Sequence, residues 1–156
     1  MKKTLLVCCA LVCFVTVMGS TAFAAENWIG TWKVNAAQTK TSTNAVRPGT
    51  LKFEVTPAGI KLTSEGTDAE GKPMHGEYTS KFDGKDVPWS GNPMADTAAP
   101  KRVDDNIYEN VWKKAGKVTV TAKVSVSADG KTLTVTQTGK DAQGAPVSAV
   151  AVYDRQ

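Results

Sequence analysis

The residues of this chain that could do chemistry are one histidine, a few turn carboxylates and a set of aromatic side chains. His75 and Glu77 stand two apart, which on an extended strand puts both on one face. That pair could begin a metal site or an acid–base relay. A zinc site takes three or four ligands, and a hydrolytic triad sets a nucleophile and an orienting acid beside the imidazole. No second histidine is present to extend either, and the three cysteines, Cys8, Cys9 and Cys13, all lie near the start of the chain. Asp104-Asp105 and Asp83/Asp86 are paired carboxylates by spacing, but Gly84, Lys85 and Asn106 stand among them. In that company aspartate caps the backbone of turns. The glycine-rich turns lack the spacing of a phosphate loop, and no helical pattern follows them. The sequence therefore predicts no catalytic residue, no metal ligand and no cofactor, and an enzyme is its least favoured reading.

The aromatic residues carry more. Met74, Tyr78 and Phe82 share the strand face opposite His75 and Glu77. Trp89 sits between Pro88 and Ser90-Gly91, beside a loop expected over 91–99. Tyr108 and Trp112 share a face with Asn110 between them. Such side chains fill cores. They also line pockets, which are mostly apolar with a few placed polar groups. On the pocket reading Trp89, Tyr78 and Met74 contact the ligand.

Strands must position these residues. Lys117 to Ser127, "KVTVTAKVSVS", alternates with period two and is rich in β-branched residues. Val118, Val120, Ala122, Val124 and Val126 are expected on one face. Asp129-Gly130 turns the chain into "TLTVTQT" at 132–138, and Val147 to Tyr153 closes it. Leu51-Phe53-Val55, Ile60-Leu62 and Met74 to Phe82 repeat the pattern earlier. The turns "DAEGKP" at 68–73 and "DAQGAP" at 141–146 are near copies. Shared hairpin chemistry explains them more simply than duplication. Residues 36–46, polar and threonine-rich, read as a loop or extended crossing. Sequential hairpins with short connections predict an all-β fold, an up-and-down antiparallel barrel of about 8–10 strands, since closure removes exposed edges. A two-sheet sandwich is the alternative.

Ahead of this domain, residues 1–24 read as a secretory signal. Lys2 and Lys3 precede an apolar run ending at Met18, and Ala22-Phe23-Ala24 is a small-x-small cleavage site. The run is shorter than the roughly 20 residues a spanning helix needs. Removal would leave residues 25–156 as a single domain without cysteine, which must fold by packing and backbone pairing alone. The leader's two lysines leave with it, so the formal charge falls from +4 to +2. The remaining charges are interleaved, with no stripe for nucleic acid.

Gly30-Thr31-Trp32, followed by Lys33-Val34, gives a first strand a glycine and an indole on one face. In this motif, and in Val152-Tyr153-Asp154-Arg155 at the end, the chain resembles the lipocalin-like (calycin) β-barrels, which include the fatty-acid-binding proteins. It is also similar to small uncharacterised exported bacterial proteins that open with "GTWK" and end with "VYD". The resemblance implies that Gly30 makes room for Trp32, that Trp32 plugs one end of the barrel, and that Arg155 packs over its indole. The chain departs from those families in lacking an apolar lid segment after the first strand, a disulfide and a C-terminal helix. Together these readings lead to an exported protein of the periplasm or medium, not stably inserted in a membrane once its signal is cleaved, that binds a small hydrophobic ligand inside the barrel. The alternative is an envelope module with a filled core that binds or inhibits a protein partner.

Overall fold

The computed structural model describes residues 26–42, 47–68, 70–141 and 143–156. The leader reading on residues 1–24 lies outside them. The described strands are β1 (Gly30–Val34), β2 (Lys40–Thr41), β3 (Arg47–Thr56), β4 (Gly59–Thr67), β5 (Pro73–Ser80), β6 (Val87–Pro88), β7 (Thr97–Arg102), β8 (Ile107–Lys114), β9 (Lys117–Val126), β10 (Thr132–Lys140) and β11 (Pro146–Arg155). They pair along one path, β5-β4-β3-β1-β11-β10-β9-β8-β7-β6. From β3 onward each strand is the hairpin partner of the next, except that β5 and β6 are the two ends of the path, and β1 fits between β3 and β11.

The two ends of this path meet. Glu77 and Ser90 exchange backbone hydrogen bonds of 3.0 and 3.1 Å. Just below, the Arg102 N–H donates to the Phe82 carbonyl and the Gly84 N–H to the Pro100 carbonyl, both at 2.9 Å. Ten strands thus form a nearly closed antiparallel barrel, as the alternation predicts. One continuous sheet replaces the sandwich alternative. β2 is the extended crossing expected within 36–46: Lys40 and Thr41 pair with Val150 and Ala149 of β11.

The repeated turns close alike. Asp68 Oδ1 accepts from the Lys72 N–H, and Asp141 Oδ1 from the Ala145 N–H, both at 2.8 Å. Gly71 and Gly144 supply left-handed φ values of 83° and 85°.

Two details of the pattern need correction. Trp112 pairs with Val120 but Lys113 with Val118, so Thr119 is an extra residue in β9. This bulge turns Val118 outward, 60% exposed, while Val120, Ala122, Val124 and Val126 stay in the core. The Thr119 hydroxyl turns inward and donates to the Met94 carbonyl at 3.0 Å. The loop expected over 91–99 ends sooner, because β7 begins at Thr97.

One end of the barrel is sealed by indoles. Trp28 and Trp32 are fully buried. Trp32 Nε1 donates to the Trp28 carbonyl at 2.8 Å. The Trp28 ring packs against Phe82 at 6.0 Å and Tyr108 at 5.3 Å between centroids. Arg155 lies over Trp32, its Cζ 4.2 Å from the ring centroid. Gly30 has φ +132°, and a Cβ there would stand 2.9 Å from Arg155 Nη1. The space at Gly30 therefore holds the guanidinium rather than the indole. Beneath this floor the buried Glu26 lies 2.9 Å from Arg102 Nε, and Arg102 also meets Asp105. Burial raises the Glu26 carboxyl above its ordinary range, and Arg102 pulls it part of the way back.

Candidate functional site

Above the floor the barrel is not filled. A cavity of about 70 Å³ lies between β3, β4 and β8 to β11. Its far wall is short because three inward positions are alanine: Ala122 on β9, and Ala149 and Ala151 on β11. Leu51, Leu62, Val124 and Val135 add aliphatic surface, and Tyr108 and Tyr153 form its base. The exposed Thr41 and Glu65, with half-buried Met74 and Gln137, form a rim that reaches the surface. The volume is about half that of a cavity that takes benzene, ~150 Å³, so it admits a small molecule or one end of a longer one.

Trp89 and Trp112 form the opposite wall. They meet edge to face at 4.9 Å, and Trp89 meets Tyr78 in the same way at 5.1 Å. Such contacts are favoured by the ring quadrupoles. Trp89 is placed by its neighbours. Its backbone N–H donates to the Asp96 carbonyl at 2.8 Å. Its indole lies over Gly76, where a Cβ would stand 3.0 Å from Trp89 Nε1 and 3.0 Å from Ser64 Oγ. Only a glycine on β5 leaves the ring this seat. Gly91, at φ +72°, then presses the loop onto β5, since a Cβ there would fall 1.9 Å from the His75 carbonyl oxygen.

The polar groups of this wall are unevenly satisfied. The Ser64 hydroxyl donates to the Gly76 carbonyl at 3.1 Å, and Asn92 Oδ1 accepts from the Met94 N–H at 2.9 Å. Asn110 Nδ2 donates to the Tyr78 hydroxyl at 3.3 Å. Trp89 Nε1, Trp112 Nε1 and Asn110 Oδ1 are buried with no partner among the described residues. Their residues are 6%, 6% and 3% exposed. A buried polar group left unpaired costs roughly 1–3 kcal/mol, and folded proteins leave few of them. Burial also raises the hydroxyl pKa of Tyr78, Tyr108 and Tyr153 above the ordinary tyrosine value, so these phenols stay neutral across the physiological range.

Trp89 and Met74 thus stand in the cavity wall. Tyr78 is one layer back, behind Trp89, and does not line the cavity. Gly30, Trp32 and Arg155 are together at the sealed end. His75 is on the outer surface, 3.6 Å from Glu65 and 4.0 Å from Glu77, with a side chain 60% exposed. Asp83 Oδ1 accepts from the Lys85 N–H at 3.2 Å and Asp104 Oδ1 from the Asn106 N–H at 2.8 Å, so both cap turns. Asp86 pairs with Lys113 at 2.7 Å. Among the described residues no group of three or more histidine, cysteine, aspartate or glutamate side chains is placed to hold a metal ion. Trp112, Asn110, Ala122, Ala149 and Ala151 also line the cavity, beyond the residues expected from the sequence. The signal was Asn110, an inward polar residue between two inward aromatics.

No family model matches the chain, and no curated protein matches it.

Proposed function

We propose that this chain is an exported, non-enzymatic, lipocalin-like protein that carries or senses a small, largely apolar molecule inside its barrel. The observation that supports this reading best is the apolar cavity with a surface rim, above a floor closed by Trp28 and Trp32. Its aliphatic and aromatic walls suit an apolar ligand. The leader of residues 1–24 supports export to the periplasm or medium. The outer wall carries Lys52, Glu54, Lys61 and Glu77, joined in ion pairs of 2.8 and 2.6 Å. Charges on that face are costly in lipid, which favours a barrel that stays in water. The same mixed charge gives nucleic acid no basic stripe to bind.

Titration of the mature protein with a panel of small lipids and volatile apolar compounds tests the reading. Trp89 and Trp112 stand in the cavity wall, so their fluorescence reports on its occupant. A saturable shift, lost when Ala149→Leu fills the cavity, is the expected outcome. The small volume favours one rival, an envelope interaction or inhibitor module with a packed core. No shift with any compound, together with a loss of stability in Ala149→Leu from overpacking, selects that module instead.

A further inference from the structure

Resting on the carrier reading, we propose that the cavity selects a neutral hydroxyl head group, held between the two indole N–H groups and Asn110, with a short apolar tail. Trp89 and Trp112 offer donors without partners, and Asn110 offers an acceptor without one. All three residues line the one cavity: the two indole ring centroids are 4.9 Å apart, and Asn110 precedes Trp112 by two on β8, on the same inward face. A hydroxyl has two acceptor lone pairs and one donor, so a single such head can serve both indoles and the amide oxygen together. A hydrocarbon serves neither.

Charge excludes a carboxylate. Among the described residues the lining holds no lysine, arginine or histidine, and its one carboxylate, Glu65, stands at the rim with a side chain 63% exposed. A carboxylate head beside Asn110 would be buried without a counter-charge and below a like charge. A cationic head would face two N–H donors. Size limits the tail: about 70 Å³ takes the head and a few carbons. A longer tail would pass Met74 and Thr41 to the surface.

The test compares three ligands of one carbon skeleton, pentan-1-ol, pentane and pentanoate, on the full mature protein. The readout is the indole N–H resonances of Trp89 and Trp112 together with the affinity. Pentan-1-ol is expected to bind at least about tenfold more tightly than either of the others and to move both indole resonances downfield, as hydrogen bonding does. In Asn110→Leu the preference over pentane should fall to about twofold. Equal binding of pentan-1-ol and pentane overturns the head-group proposal and leaves the carrier reading standing. Tighter binding of pentanoate does the same. Binding of none of the three, nor of any compound in the wider panel, overturns both. Should Asn110→Leu fail to fold, the ranking of the three ligands on the wild-type protein decides alone.

Discussion

Arg155 stands with its Cζ 4.2 Å above the centroid of the Trp32 ring. The same guanidinium donates to the carbonyls of Gly130 at 2.6 Å, of Ile29 at 2.9 Å and of Asn27. One planar fork thereby ties the end of β11 to the β9–β10 turn and to the approach to β1. A lysine has neither the fork nor the flat face. Arg155→Ala should lower stability by about 2 kcal/mol, from the lost cation–π contact and charge-assisted hydrogen bonds at a partly exposed site. Arg155→Lys should recover less than half of this. Urea unfolding measures both. A loss in Arg155→Ala within about 0.5 kcal/mol of zero would mean that packing of Trp28 and Trp32 closes the floor unaided.

The bulge in β9 separates two valines that the sequence places together. Val118 is 60% exposed and Val120 fully buried. Val118→Thr should change stability by less than about 0.5 kcal/mol, as surface substitutions do. Val120→Thr buries a hydroxyl among Ala122, Trp112 and their neighbours and should cost about 2 kcal/mol. Thermal unfolding of the two variants side by side checks this. Equal losses would restore the unbroken alternation.

That pair marks the border of what the sequence makes legible. Strands and turns are readable because period-two alternation and D-x-x-G turns are local, and barrel closure follows from short connections. A bulge is not local. Thr119 looks like any outward threonine, and it turns inward only because Met94, far along the chain, offers its carbonyl. The pairing of Lys101 and Arg102 with the strand after Asp104-Asp105 is legible, but the first part of β7 is hidden by its composition, small residues ahead of Pro100, although that proline's carbonyl accepts from the Gly84 N–H across the seam. In the site, parity places Met74, Tyr78 and Asn110 inward, but parity does not give height. Which layer reaches the cavity depends on strand stagger, so Tyr78 packs behind Trp89 while Met74 reaches the rim. The glycine at position 30 is legible as a space. Its occupant, Arg155, comes from the other end of the chain.

The tyrosines give a test of the whole enclosure. The chain has three, Tyr78, Tyr108 and Tyr153, and all are buried. Burial raises each hydroxyl above its ordinary value, because the interior disfavours the phenolate. In the unfolded chain the same groups titrate near pH 10. The folded state therefore holds these protons more tightly than the unfolded state. Their contribution to stability is complete below about pH 10 and is lost as pH rises above it, toward the raised folded values. With three protons released on unfolding, the slope reaches about 4 kcal/mol per pH unit. Phenolate absorbance near 295 nm should stay flat as the folded protein passes pH 10, then rise in one step together with the loss of strand circular dichroism. An early partial rise with the strands intact would show a phenol open to solvent. Tyr108 and Tyr153 form the base of the cavity, so they are the rings such a leak would reach first. A bound ligand that fills the cavity should then suppress it, whereas a leak through the Trp32 floor would not respond.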